Sequence, residues 1–305
     1  ERMADTRVEA NVLAEPAAGE ALARLAYAAP FLLRVLAGRP QALAEGVLAS
    51  LADGPALAEG LLPGSRYAEP AQAAALDEAE LMTRLRRWRY ANYVRLTARD
   101  LLGLQQARTT CARIAELADG AVRLAHGYAF AQQAARYGLP FAKRGQPAWG
   151  GVVGMGKLGG RELNYASDID LIFVQEGDDG PCRLPAGLAP PPLEPSDSGE
   201  ERAWQRGAEQ ARQAAQAPSS GGTGFDFYNR VARQAIRVLS ALQADGFAFR
   251  VDCDLRPAGK SGFLSPNVAF MEQYYLEQGR EWERTAMLKA RMVAGPEALA
   301  GRFGE

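Results

Sequence analysis

The chain has 305 residues, with 35 Lys and Arg against 36 Asp and Glu, a formal net charge of -1. That balance supplies no global attraction to nucleic acid or to an acidic membrane surface. At roughly 150 residues per domain, the length suggests two domains. The three cysteines, Cys111, Cys182 and Cys253, form no CxxC pair, and His126 is the only histidine. This excludes a disulfide scaffold and a Cys-rich zinc module, and it leaves little room for histidine-based catalysis. No apolar run approaches the roughly 18 residues that span a bilayer, and no signal-peptide pattern opens the chain. A reducing, cytoplasmic setting is expected. The chain begins at Glu1 and stops at Glu305, and it reads as a piece of something longer.

Residues 1–145 read as a helical region, rich in Ala, Leu and Arg and poor in β-branched runs. Between Leu76 and Leu101, the residues Leu81, Leu85, Trp88, Asn92 and Leu96 share one narrow arc of a helix. Arg84, Arg86, Arg87 and Arg89 spread over its other faces and read as a solvated surface, with a docking patch for an acidic partner as the alternative. The composition then shifts near Pro140. Trp149 to Met155 reads as a short strand entering a glycine turn, Ile169 to Val174 as a buried strand, and Phe247 to Cys253 as another. Strands alternating with helices argue for an α/β unit over 146–305. Residues 176–224, with Pro190-Pro191-Pro192 and Ser219-Ser220-Gly221-Gly222, lack core-forming residues and read as a disordered insertion. A helix follows, with Phe225, Tyr228, Ala232, Ile236 and Leu239 on one face and Arg230, Arg233 and Arg237 opposite. A last helix is expected over Ala269 to Val293.

Two glycine signatures match on paper. Gly154, Gly156 and Gly159 satisfy G-x-G-x-x-G, but the next strand starts too soon for a dinucleotide-binding crossover helix. Gly151, Gly156 and Lys157 satisfy G-x-x-x-x-G-K, but Leu158 stands where a P-loop needs a hydroxyl. A third reading fits better. Gly159-Gly160 opens a short helix, and Asp168 and Asp170 follow at i, i+2, which puts both carboxylates on one strand face. About 6–7 Å apart, they would repel unless a cation sat between them. Hard oxygen ligands at that spacing suit Mg²⁺ carrying a phosphate. Asp252 and Asp254 lie at the end of another strand, share a face, and offer a third carboxylate. Two glycines, D-x-D and a distant Asp together form the nucleotidyltransferase layout. Lys157 and Ser167 flank it. On the last expected helix Arg280, Arg284 and Arg291 fall within about 40° of one another and form one stripe. Such a stripe suits either phosphate or salt bridges to Glu277, Glu281 and Glu283. His126 reads as structural and Cys253 as a buried strand residue.

These residues carry a resemblance. Gly154-Met-Gly-Lys-Leu-Gly-Gly-Arg-Glu-Leu-Asn-Tyr-Ala-Ser-Asp-Ile-Asp-Leu-Ile-Phe173 resembles the signature of the bifunctional glutamine synthetase adenylyltransferase/adenylyl-removing family. The likeness extends to Phe249-Arg-Val-Asp-Cys-Asp-Leu-Arg-Pro-Ala-Gly259, to the block from Tyr274 to Arg291, and to the stretch from Leu85 to Ala125. It implies an α/β (α+β) nucleotidyltransferase-type mixed-sheet domain behind the helical region. The opening motif and Glu277-Gln-Gly-Arg-Glu-Trp-Glu-Arg284 resemble the removing half. The implied function is phosphorolysis of adenylyl-tyrosine on glutamine synthetase, with phosphate taken in and ADP released, in the regulation of nitrogen assimilation.

The resemblance further implies Asp168, Asp170 and Asp252 as catalytic metal ligands for two Mg²⁺ ions. Gly159, Gly160, Lys157, Ser167, Arg256, Arg280, Arg284 and Arg291 would contact nucleotide or phosphate. Adenylylated glutamine synthetase and the PII signal protein are the implied partners, with no nucleic acid and no membrane. Asp254 stands where the family usually has Arg, and it either adds a ligand or sits beside one. Two alternatives stay open: the ATP-dependent adding half, and a non-catalytic docking module for glutamine synthetase or PII.

Overall fold

A computed structural model of the chain describes residues 15–36, 40–51, 76–141, 148–176, 180–183, 219–243 and 246–296. Among the described residues five helices come first: α1 (Pro16–Ala28), α2 (Pro30–Leu36), α3 (Pro40–Leu51), α4 (Glu78–Leu101) and α5 (Ala107–Tyr137). Prolines open the first three, at the position where a missing N–H costs nothing. Helix α4 starts at Asp77, whose carboxylate accepts from the N–H groups of Ala79 at 2.8 Å and Glu80 at 3.0 Å. Its expected face is the buried one: Leu81, Leu85, Trp88, Asn92 and Leu96 are all inside.

Two of the four arginines named on α4 depart from expectation; Arg87 is exposed, as expected. Arg86 and Arg89 are buried, not solvated. The Arg89 guanidinium lies 4.2 Å from the Tyr93 ring centroid and 5.0 Å from that of Phe249, so aromatic faces replace water around the cation. Spacing on the helix could not show that Phe249, from outside α4, would help to cover it.

The remaining elements are β1 (Leu139–Pro140), β2 (Trp149–Gly154), α6 (Gly156–Gly159), β3 (Ile169–Glu176), β4 (Pro181–Arg183), β5 (Ser219–Thr223), α7 (Gly224–Ser240), β6 (Val251–Asp252), α8 (Val268–Glu277), α9 (Glu281–Met287) and β7 (Arg291–Ala294). The central sheet has the order β6-β3-β2-β7. Strands β2 and β3 are antiparallel, with Val152 opposite Phe173; β2 and β7 are also antiparallel, and β3 runs parallel to β6. The period of two divides the sheet cleanly. Leu171 and Phe173 join the main core, while Ile172 and Val174 join Val153, Met155, Val268 and Met271 on the other face. The fold is therefore mixed helix and sheet, as the motif implied.

The main core runs without a break from Ala18 and Leu85 in the helices to Val152, Phe173 and Phe227. Phe130 of α5 meets Phe227 of α7 edge to face at 5.3 Å. The Tyr228 hydroxyl donates to the Ala148 carbonyl at 2.8 Å. Arg237 of α7 reaches Glu78 of α4 through two hydrogen bonds of 2.5 and 2.8 Å.

Three elements differ from their sequence readings. The margins of the 176–224 stretch are strands: β4 and β5 pair with each other, and β4 pairs with β1. The disorder expected for 184–218 falls outside the described residues. The strand expected over 247–253 shrinks to β6, because Ala248 and Phe249 turn their N–H groups to the Leu239 carbonyl at the end of α7. The helix expected over 269–293 is two helices and a strand. The N–H groups of Gln278 and Gly279 both bond back to the Tyr274 carbonyl, at 2.8 and 2.7 Å, and close α8. Helix α9 then restarts, with the Glu283 carboxylate accepting from Arg280 N–H at 2.8 Å.

Candidate active site

Asp170 is the second residue of β3, and its partner across the parallel ladder is Asp252 of β6. Two carboxylates are thus set face to face by strand register. Asp168 precedes β3 by one residue and shares the Asp170 face. Burial raises the Asp170 carboxyl above the ordinary range, and the charges of Asp252 and then Asp168 push it further, against the pull of Lys157. Asp252 Oδ1 accepts from Asp254 N–H at 2.7 Å. Asp168 is turned aside into an ion pair with Arg250 Nε. Among the described residues, no three His, Cys, Asp or Glu side chains stand close enough together to enclose a metal ion as they are.

The glycine turn sits directly beneath. Gly156 has φ +53, and a Cβ built there would lie 2.3 Å from Asp170 Oδ2. A side chain at 156 would collide with the carboxylate and strain the backbone. Met155 N–H donates to the Asp170 carbonyl at 2.9 Å and fixes the turn on the strand. Gly159-Gly160 was expected to open a helix; instead it closes α6, with Gly160 as the C-cap. A Cβ on Gly159 would stand 1.9 Å from the Lys289 carbonyl, so its bare side is filled by protein backbone. Gly160 and Lys157 are exposed. The Ser167 hydroxyl donates to Asn164 Oδ1 at 2.8 Å and braces the turn before Asp168.

The arginines separate into two groups. Arg280 and Arg284 are exposed, and neither makes a side-chain ion pair with a described residue. Arg291 is not on their helix. It lies in β7 and holds buried Asp119 of α5 through contacts of 2.9 Å from both terminal nitrogens. It also donates to the carbonyls of Leu158 at 3.0 Å and Gly159 at 3.3 Å. Arg256 is turned into its own loop, donating to the Cys253 carbonyl at 2.7 Å and the Lys260 carbonyl at 3.2 Å. Asp254 faces Lys260 Nζ at 3.3 Å and Arg256 at 3.9 Å. Burial pushes the Cys253 thiol up to about 12, so it is no nucleophile at neutral pH. His126, fully enclosed in α5, is pushed down to about 4 and stays neutral.

The sequence profile described as glutamate-ammonia ligase adenylyltransferase matches residues 19–183 and 208–305. The chain belongs to that family. Its curated relatives include proteins called bifunctional glutamine synthetase adenylyltransferase/adenylyl-removing enzyme. The one from Pseudomonas putida is 36% identical over 283 residues, 92% of this chain and 25% of the relative. That of Pseudomonas aeruginosa is 38% identical over 72% of this chain and 19% of its own length. That of Burkholderia mallei is 36% identical over 81% and 25%. The chain thus spans a quarter or less of each.

The two blocks that resemble this adenylyltransferase family, 154–173 and 249–259, meet at the β3–β6 pair. The family profile passes over 184–207, within the proline- and glutamine-rich stretch. Sequence reasoning missed two residues that shape the site. Tyr165, inside the motif, stacks edge to face on Tyr93 of α4 at 5.6 Å and anchors the loop that carries Asp168. Arg250 pairs with Asp168 itself; its signal was the period of two, which places 250 and 252 on one face. No helix of the described residues is long and apolar enough to cross a membrane.

Proposed function

We propose that this chain removes AMP from an adenylylated tyrosine of glutamine synthetase by phosphorolysis, and so regulates nitrogen assimilation. The observation that carries the reading is the facing pair Asp170 and Asp252, with Asp168 beside it, in a family whose relatives are named for adenylyl transfer and removal. The likeness of the Gly154–Phe173 and Glu277–Arg284 blocks to the removing half favours removal over addition.

The donor set fits a hard divalent cation. Asp170 and Asp252 supply carboxylate oxygens, and the like charges that raise Asp170 are what a cation would relieve. Asp168 completes the set once it leaves Arg250. On this reading Asp168, Asp170 and Asp252 would hold Mg²⁺, two ions in the full site. Bound there, Mg²⁺ supplies charge neutralisation for the phosphoryl oxygens and for the departing phenolate, whose pKa is about 10.

The chain's own residues do the rest. Arg280 and Arg284, open on α9, grip inorganic phosphate with their forked donors. Lys157, exposed beside Asp170, offers a further charge to the nucleotide phosphate, and Ser167 and Gly160 line the approach. A phosphate oxygen bonds to the AMP phosphorus, the phosphorus–oxygen bond to tyrosine breaks, and ADP leaves. The phenolate takes its proton from solvent. No histidine base is needed, because phosphate is already a nucleophile at neutral pH. The proposed partners are adenylylated glutamine synthetase and the PII signal protein, in the cytoplasm.

The test is ADP release from adenylylated glutamine synthetase with phosphate and Mg²⁺ present. Phosphate-dependent ADP supports removal. ATP-driven adenylylation without ADP release from the adenylylated substrate would reverse the direction. Neither activity, with glutamine synthetase bound, would make the chain a docking module.

A further inference from the structure

Two pairs of opposite character stand where the β3–β6 ladder begins. Within it, Asp170 faces Asp252, two like charges. Two residues back on each side, just before the ladder, Asp168 meets Arg250, whose Nε donates to Asp168 Oδ1. Arg250 Nη2 also donates to the Ala166 carbonyl at 3.1 Å. The Arg250 carbonyl in turn accepts from Ile169 N–H at 2.9 Å, which pins its backbone to the residue between the two aspartates. Side-chain exposure is 58% for Arg250 and 44% for Asp168, so the pair can open without unpacking a core.

The three carboxylates are not held alike. Asp252 has the Asp254 N–H, and Asp168 has a full guanidinium. Asp170 has no side-chain hydrogen bond from a described residue, although it stands between the other two on the same strand face. Arg250 therefore occupies the one carboxylate of the three that has a cation, and it does so from the same sheet face that presents the others.

We propose that Arg250 is a positioning residue that competes with the divalent cation for Asp168. This rests on the metal-dependent reading above. With the cation absent, Arg250 draws Asp168 away from Asp170 and Asp252 and lowers the repulsion among them. When a divalent cation takes Asp168, the guanidinium is released at the edge of the site. It is then free to donate to phosphoryl oxygens, the acceptors for which its fork is suited. The exchange makes and breaks only ion pairs and coordination bonds, so the charge balances with one divalent cation entering.

The experiment measures Mn²⁺ binding to the whole chain, by calorimetry or by the electron spin resonance of free Mn²⁺, at low ionic strength. Removing a competing cation should tighten binding, so Arg250→Gln should lower the Mn²⁺ dissociation constant about fivefold, in keeping with a half-exposed pair. Arg250→Lys, which keeps the charge but not the fork, should fall between parent and Gln. A residue that merely braced the site would do the reverse when removed. Unchanged or weaker Mn²⁺ binding in Arg250→Gln, while Asp170→Asn still abolishes binding, overturns the competition and leaves the metal site standing. Loss of Mn²⁺ binding in the parent itself overturns both. The direction of adenylyl transfer does not enter the measurement, so an error there is read separately, in ADP release.

Discussion

Arg291 of β7 grips Asp119 of α5 with both terminal nitrogens, across 172 residues of chain. Asp119 is buried deeply enough that its carboxyl is raised above the usual range even against the pull of Arg291. Removing the arginine would strand a buried carboxylate, a loss of about 3–5 kcal/mol. Arg291→Met should therefore lower the urea midpoint sharply at pH 8. The loss should shrink toward pH 5. Without its partner Asp119 takes up a proton more readily in the folded state than in the unfolded one, so stability falls as pH rises through its folded pKa. An equal loss at both pH values would show that the charge is not what matters.

The carboxylate cluster makes the opposite prediction. Asp170→Asn removes one of three like charges and should leave stability in EDTA equal to or above that of the parent. Phosphate-dependent ADP release should be abolished by the same change. Denaturation curves and the ADP assay on one preparation check both. Activity at parental level would remove Asp170 from the site.

Arg284 separates phosphate binding from folding. It is exposed and makes no side-chain ion pair with a described residue, so Arg284→Ala should leave the unfolding midpoint near that of the parent. Loss of one charge-assisted contact of about 1.5–3 kcal/mol should raise the phosphate KM by about 10- to 100-fold. Arg284→Lys should recover part of it. A phosphate KM that stays fixed while ATP-driven adenylylation weakens would mark the adding half.

His126 gives a pH signature of its own. Its imidazole is pushed down to about 4 by burial, against 6.5 in the unfolded chain. Between those values the unfolded state binds the proton and the folded state does not, so stability falls as pH falls from 6.5 toward 4. The difference between pH 7 and pH 5 should be about 2 kcal/mol. Urea titrations should show that dependence reduced in His126→Gln.

Much of the site was legible because strand chemistry repeats every two residues. The spacing of Asp168 and Asp170 pointed to one strand face, and parallel pairing on a second strand set Asp252 opposite Asp170. The helices were legible where one apolar face dominates, as in α4. The arginine stripe was not. Helical spacing makes Arg291 a neighbour of Arg280 and Arg284 only if the helix continues, but α9 ends at Met287 and Arg291 opens β7. Nor did composition reveal β4 and β5, whose residues are poor strand formers and owe their order to pairing with one another and with β1. A boundary follows for engineering. A Gly/Ser linker replacing 184–207, the part the family profile passes over, should leave melting temperature and ADP release near parental, whereas cutting into Pro181–Arg183 or Ser219–Thr223 should lower both.

The unbroken core has a practical consequence for dissecting the chain. A cut near residue 145 would part Phe130 from Phe227 and Asp119 from Arg291 at one stroke. The carboxy-terminal piece would carry the carboxylates but expose the apolar backs of α7 and the central sheet to water. Heating the intact chain should accordingly give one calorimetric transition rather than two, and the half bearing the aspartates should precipitate when produced by itself unless residues 15–137 are supplied alongside it.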